Sequence, residues 1–231
     1  MFENYSGTKY YARETNLMYR VYAWMCLALT ITAATAYYVA SSPAIVNAIF
    51  NNSILLIGLF IGQLALVIVI TTLLNRMSFV MAASLFILYA ATLGVTLSSI
   101  FLVYTYTSIF ATFLVASGMF GAMAIYGYYT KADLSAMGSY LLMALIGLII
   151  GGLVNMFLKN ETFQYLISGA GVLIFTLLTA YDVQKIKRMS QEMLGDQETM
   201  AKVSILGALI LYLDFVNLFL YLLQFMGRRK E

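Results

Sequence analysis

The chain has 231 residues, of which 62% are hydrophobic and 10% charged, with a mean hydropathy of +0.88 and a formal net charge of +3. Soluble domains carry about 25% charged residues, so this balance excludes a water-soluble globular domain and points to a polytopic membrane protein built from helices. A single cysteine, Cys26, excludes an intrachain disulfide framework, and the absence of histidine removes the commonest transition-metal ligand and the usual general base.

The first 17 residues, MFENYSGTKYYARETNL, are polar and aromatic, and Lys9, Arg13 and Arg20 lie close to the first apolar segment. That segment begins near Met18 and continues to Ala40, which is too late and too long for a cleavable signal peptide and reads as the first spanning helix, 18–40. Ser41, Ser42 and Pro43 supply a turn and a stop. Further spans are expected at about 53–74, 78–102, 108–129, 137–158, 163–183 and 203–226. The expectation is one all-α transmembrane domain, 1–231, with seven helices. Its connections are short except for 184–202, which holds Lys185, Lys187, Arg188, Glu192, Asp196, Glu198 and Lys202.

Charge placement orients the spans. With the N-terminus inside, nine of the thirteen cationic residues fall on the cytoplasmic side: Lys9, Arg13, Arg20, Arg76, Lys131, Lys185, Lys187, Arg188 and Lys202. Lys159, Arg228, Arg229 and Lys230 fall outside, so the positive-inside rule favours a cytoplasmic N-terminus. An odd span count then sends the basic C-terminus outward. Either the bias elsewhere overrides that cluster, or the last helix does not fully cross.

Gly58 and Gly62, Gly94 and Ser98, Gly118 and Ala122, and Gly147 and Gly151 have the small-xxx-small spacing that brings helix backbones together in lipid. The repeated glycines of GMFGAMAIYG lie inside an apolar helix, without the loop-to-helix context of a nucleotide site. There is no phosphate loop with its lysine, no metal-ligand spacing, and no nucleophile with a base partner, so enzymatic activity is not expected. The basic run from Lys185 to Arg188 abuts a span, where contact with membrane lipids is a cheaper explanation than nucleic-acid binding.

Two carboxylates remain. Asp214 stands inside ILGALILYLDFVNLFLYLLQFMG, where an ionisable group is costly unless it faces protein or water. At about 100° per residue, Gly207, Asp214, Asn217, Tyr221 and Gln224 share a face that should look into the bundle, so Asn217 and Tyr221 are candidate polar support. Asp182, in LLTAYDVQKIKR, lies where an apolar run meets the basic cluster, within i,i+3 reach of Lys185.

The stretch YAATLGVTLSSIFLVYTYTSIFATFLVASGMFGAMAIYGYYTKADLSAMGSYLLMALIGLIIGGLVNMFL, from Tyr89 to Leu158, closely resembles the transmembrane Bax-inhibitor-motif family in its bacterial form. The likeness continues through TAYDVQKIK and LYLDFVNLFLYLLQFMG and includes VYAWMCLALTITAATAYY in the first span. The resemblance implies a seven-helix fold in which six helices surround the seventh, and a pH-sensitive calcium leak. The family's paired carboxylates correspond to Asp182 and Asp214, and its second-helix arginine latch best matches Arg76 in LLNRMS.

Under that reading, two close carboxylates in a low-dielectric interior disfavour double ionisation and share a proton. Arg76 can then bridge the pair and hold helices two, six and seven together, with family resemblance favouring opening on acidification. Asp182 and Asp214 offer at most four carboxylate oxygens where calcium takes six to eight ligands, so they suit a transient calcium waypoint better than a resident site. No cofactor is required; calcium is the permeant ion. Expected partners are lipids, calcium and a regulatory membrane protein, and the chain is expected to work as a monomer in a bacterial inner or plasma membrane. The alternatives are a membrane regulatory or interaction protein, one that modulates a membrane protease, and a proton-coupled transporter using the same carboxylates.

Overall fold

A computed structural model describes residues 2–192 and 197–230, with side chains described for 14–190 and 197–230. Lys9, Arg13 and Glu192 therefore have side chains outside the described set, and Asp196 lies outside the described residues altogether. The described residues are helical almost throughout, and seven of the helices are long and apolar enough to cross a membrane.

In chain order the helices are α1 (Phe2–Ala40), α2 (Pro43–Phe50), α3 (Ser53–Leu73), α4 (Phe79–Leu97), α5 (Ile100–Val103), α6 (Tyr106–Tyr129), α7 (Ser135–Leu158), α8 (Glu161–Glu192) and α9 (Gln197–Met226). A 3-10 turn, Leu74–Arg76, follows α3. Their starts are written in local chemistry. Pro43 opens α2, where its missing N–H costs nothing. The Asn52 side chain accepts from the Ile54 and Leu55 amides, Ser78 from Met81, and Thr105 from Ser108, each satisfying donors that a helix start leaves unpaired.

Three helix bounds depart from the expectations. First, α1 begins at Phe2, well ahead of Met18. Second, the apolar run expected as one helix over 78–102 is broken after Leu97. There the Ser98 and Ser99 hydroxyls donate back to Val95 and Thr96 carbonyls, competing with the helix ladder. Third, the long connection expected over 184–202 is mostly helix, because α8 runs to Glu192 and α9 starts at Gln197. Val183 and Ile186 are fully buried and the Gln184 amide is hydrogen-bonded, so tertiary contacts carry α8 past the end of its apolar run. With 32 residues, α8 is about 48 Å long against a hydrocarbon core of about 30 Å, so it projects beyond the core.

The chain forms two compact units, 1–103 with 190–212, and 104–189 with 213–231, so α9 contributes its first half to one and its second half to the other. In the first unit α4 packs against α1 and α3. Gly94 permits the α1–α4 approach: a Cβ there would lie 2.6 Å from the Thr32 carbonyl oxygen. The α9 residue Tyr212 is fully buried, meets Phe86 and Tyr89 edge-to-face, and joins its hydroxyl to Thr32 Oγ1 at 2.6 Å. Thr32 Oγ1 is also 2.9 Å from the Ala28 and Ala90 carbonyl oxygens.

In the second unit, α9 presents Phe215 to Phe113 and Phe120 of α6, edge-to-face at 5.6 and 5.5 Å. Against α8 it stacks Tyr221 on Phe175 and Phe225 on Tyr165. The span in α9 is the most enclosed of the seven, 72% buried against 11% for α3, as expected of a helix surrounded by protein rather than lipid. The small-residue expectation needs correction: Gly58, Gly62, Gly118 and Gly147 face open space, whereas Gly94 meets α1 and Gly127, which lacked a small partner in the spacing considered, meets the Ala180 backbone. Small spacing makes a groove, and only a facing helix fills it.

Candidate functional site: a carboxyl pair between two helices

Asp182 on α8 and Asp214 on α9 both belong to the second unit, are 8% and 5% exposed, and lie close enough for each side chain to act on the other. Their setting is apolar: Val183 and Ile186 flank Asp182, and Phe215 and Leu218 flank Asp214, all buried. Asp214 Oδ2 is buried and has no hydrogen-bond partner among the described residues. A buried oxygen without a partner is costly. Lys185, three residues from Asp182, is the cation whose charge reaches both carboxyls within this unit, and its Nζ sits 5.8 Å from the Tyr181 ring centre.

The other residues of the α9 face are engaged elsewhere. Asn217 donates to the Leu213 carbonyl of its own helix at 2.8 Å. Tyr221, about 10 Å along the helix from Asp214, lies across Gly171 of α8 and stacks on Phe175 with ring centres 5.7 Å apart. Farther along, three uncharged amides form a chain that the sequence did not single out as a site. Asn155 Nδ2 donates to Gln164 Oε1, and Gln164 Nε2 donates to Gln224 Oε1, both at 2.8 Å. The sequence signal was present: primary amides near the ends of long apolar spans look for one another in lipid.

A second polar assembly fixes the carboxyl end of α8. Gln184 donates to the Ala132 carbonyl and accepts from the Leu134 amide, so its side chain closes the α6–α7 connection. Arg188 pairs with Asp133 at 2.5 Å and also donates to Ser135 and Gln184 side chains. Lys187 donates to the Tyr128 carbonyl at 2.9 Å and covers that tyrosine's ring. The hydrogen bond from Arg188, with those from Ser135, holds the Asp133 carboxyl down to about 2. The basic run expected to contact lipid thus makes specific protein contacts as well.

Arg76 ends the 3-10 turn after α3, is exposed, and belongs to the first unit. Among the described residues no group of three or more histidine, cysteine, aspartate or glutamate side chains is gathered in a way that could hold a metal ion. Two carboxyls alone fall short of a calcium coordination shell.

The family model described as Inhibitor of apoptosis-promoting Bax1 matches residues 14–231. The Escherichia coli inner membrane protein YbhL is 50% identical over 214 residues, covering 92% of each chain. An uncharacterised protein of Borreliella burgdorferi is 45% identical over 94% of each, and one of Rickettsia prowazekii is 42% identical over 93% of this chain and 90% of its own. The family match takes in the segments carrying Asp182 and Asp214 and all seven spans, and the chain belongs to the Bax1-inhibitor family of multi-pass membrane proteins.

Proposed function

We propose that this protein is a pH-sensitive calcium leak of a bacterial inner membrane, working as a single transmembrane domain and governed by Asp182 and Asp214. The observation that supports the reading is the burial of both carboxyls on adjoining helices, with Asp214 Oδ2 lacking a hydrogen-bond partner among the described residues. The charged groups acting on the pair in its unit are the two carboxyls and Lys185. A shared proton ties α8 to α9, and a change in the number of protons changes the charge at the seam by a full unit, which is the switch. Calcium is the substrate, held briefly by carboxylate oxygens while water and carbonyls complete its shell. Arg76 is assigned the latch and Lys185 the local counter-charge. The inner-membrane placement is supported by the likeness to YbhL.

The second reading, a membrane regulatory or interaction protein, is favoured by the family's description as an inhibitor. Purified protein in liposomes carrying a trapped calcium dye separates the two. The leak reading expects flux above protein-free vesicles, dependent on pH in the parent and insensitive to pH in folded Asp182→Asn and Asp214→Asn. Parent vesicles no leakier than empty ones at every pH and in both orientations would favour the regulatory reading.

A further inference from the structure

The seam between α8 and α9 continues well past the carboxyl pair. On α9, Asp214, Tyr221 and Gln224 lie at i, i+7 and i+10; on α8, Asp182, Phe175, Gly171, Ser168 and Gln164 recede by 7, 11, 14 and 18 residues, so each set forms one stripe. Contacts pair the stripes in antiparallel register: Asp182 with Asp214, Phe175 and Gly171 with Tyr221, then Ser168 and Gln164 with Gln224. From the carboxyls, the order along the seam is therefore the Tyr221 ring and then the amide chain.

Both obstacles are built closely. A Cβ at Gly171 would lie 2.5 Å from Tyr221 Cγ, so the bare backbone is what lets that ring lie flat against α8. Beyond it, Gln224 Oε1 accepts from Gln164 Nε2 at 2.8 Å, and the buried Ser168 hydroxyl, which donates to the Gln164 carbonyl at 2.8 Å, lies 3.3 Å from the same Gln224 oxygen. Asn155 ties α7 to the same chain, and its Oδ1 accepts from the Asn160 amide. That contact secures the left-handed turn at Lys159, φ 50°, which ends α7. Amides and aromatic stacks do not titrate in the range where carboxyls do.

We propose that the Tyr221–Gly171 contact and the Asn155–Gln164–Gln224 amide chain form a second, non-titrating gate in series with the carboxyl pair. Its role in calcium flux rests on the leak reading; its existence as a closure does not. The pair answers to pH at one end of the seam, and the amide clasp keeps the other end shut whatever the protonation state.

Accessibility of a thiol placed between the two closures tests this. Asn217→Cys in a Cys26→Ser background puts the probe there, and a charged methanethiosulfonate reagent is applied to the solubilised protein. With the clasp intact, labelling is slow at each pH from 6 to 8 relative to a free thiol measured at the same pH, a comparison that removes the rise in thiolate fraction. Combining Gln164→Leu with Gln224→Leu removes both amide hydrogen bonds of the chain and speeds labelling about tenfold. Gly171→Ala, which forces the ring off α8, does the same by another route and serves if the double variant fails to fold. Gln224→Glu, which keeps the acceptor for Gln164 Nε2, stays at the parent rate, an outcome that packing alone does not require. Unchanged labelling in folded clasp variants and in Gly171→Ala overturns the gate. Calcium flux on the same proteins separates the two ideas: a parent that does not leak while labelling responds removes the leak reading and keeps the closure, and a leaking parent with unresponsive labelling does the reverse.

Discussion

The Tyr212 hydroxyl lies 2.6 Å from Thr32 Oγ1, fully buried in the first unit, and joins α9 to α1. Thr32 has one hydroxyl proton and sits between the Ala28 and Ala90 carbonyls, so it donates to a carbonyl and accepts from the tyrosine. Tyr212→Phe keeps the edge-to-face contacts with Phe86 and Tyr89 and removes only the hydroxyl. The expected cost is about 1–2 kcal/mol of stability, because Thr32 retains other partners. Chemical unfolding in detergent micelles measures it, and a change within about 0.3 kcal/mol of zero would show that the contact carries no net energy.

Glycines of the same small-xxx-small pattern should respond differently to one added methyl. At Gly94 the methyl meets the Thr32 backbone at 2.6 Å and the Thr35 side chain at 2.8 Å, so α1 must move. Gly94→Ala is expected to destabilise by about 1–3 kcal/mol through overpacking. At Gly118 nothing lies within 4 Å, and Gly118→Ala is expected to be neutral or slightly stabilising, by up to about 1 kcal/mol through helix propensity. Equal losses at the two positions, measured by thermal unfolding, would contradict the packing described for α1 and α4.

Asp133 gives a pH prediction outside the spans. Its folded value is held to about 2, below the ordinary carboxylate range near 3.9, chiefly by the hydrogen bond from Arg188. A depressed carboxyl contributes stability that is present above the unfolded value and is lost as pH falls through the folded one. The Asp133–Arg188 clasp therefore stays closed throughout the range from pH 5 to 8 and loosens only between about pH 4 and 2. A carboxyl-carbon NMR titration with labelled aspartate should place Asp133 near 2 and, in Arg188→Gln, closer to the ordinary value. A resonance that titrates near 4 in both proteins would show that the pair does not persist in solution.

Much of this arrangement was legible because apolar composition and span length are direct readouts of bilayer thickness. Asp182 and Asp214 stood out for the same reason, as the costly groups in cheap surroundings. What was not legible depended on partners distant in sequence. The continuation of α8 beyond Val183 is set by Gln184 and Arg188 reaching the 132–135 connection, which no local propensity encodes. The amide chain was not legible as a unit because only Gln224 stood on a polar face read from the sequence, and Asn155 and Gln164 join it only when three helices come together. Gly94 and Gly118 carry the same local pattern, and only the neighbour across the gap distinguishes them.

The packing of the second unit also bears on whether the last helix crosses. Arg228 is tied to the start of α6, its carbonyl accepting from the Thr105 amide and its own amide donating to Ser108, while Lys230 lies over Tyr106. The other end of α6 holds Tyr128, whose carbonyl accepts from Lys187. Since α6 has 24 residues, about 36 Å of helix, Arg228 and Lys187 stand at opposite ends of a full span. The C-terminal basic cluster and the Lys131 and Lys187 region therefore belong on opposite faces of the membrane, and the larger share of positive charge assigns the Lys131 and Lys187 face to the cytoplasm. Single cysteines at 131, 187, 159 and 229 in a Cys26→Ser background, labelled by an impermeant maleimide in intact cells and in inverted vesicles, check this. Positions 159 and 229 should label from outside and 131 and 187 only after inversion; labelling of 187 and 229 from one and the same side would mean that α9 does not traverse the bilayer.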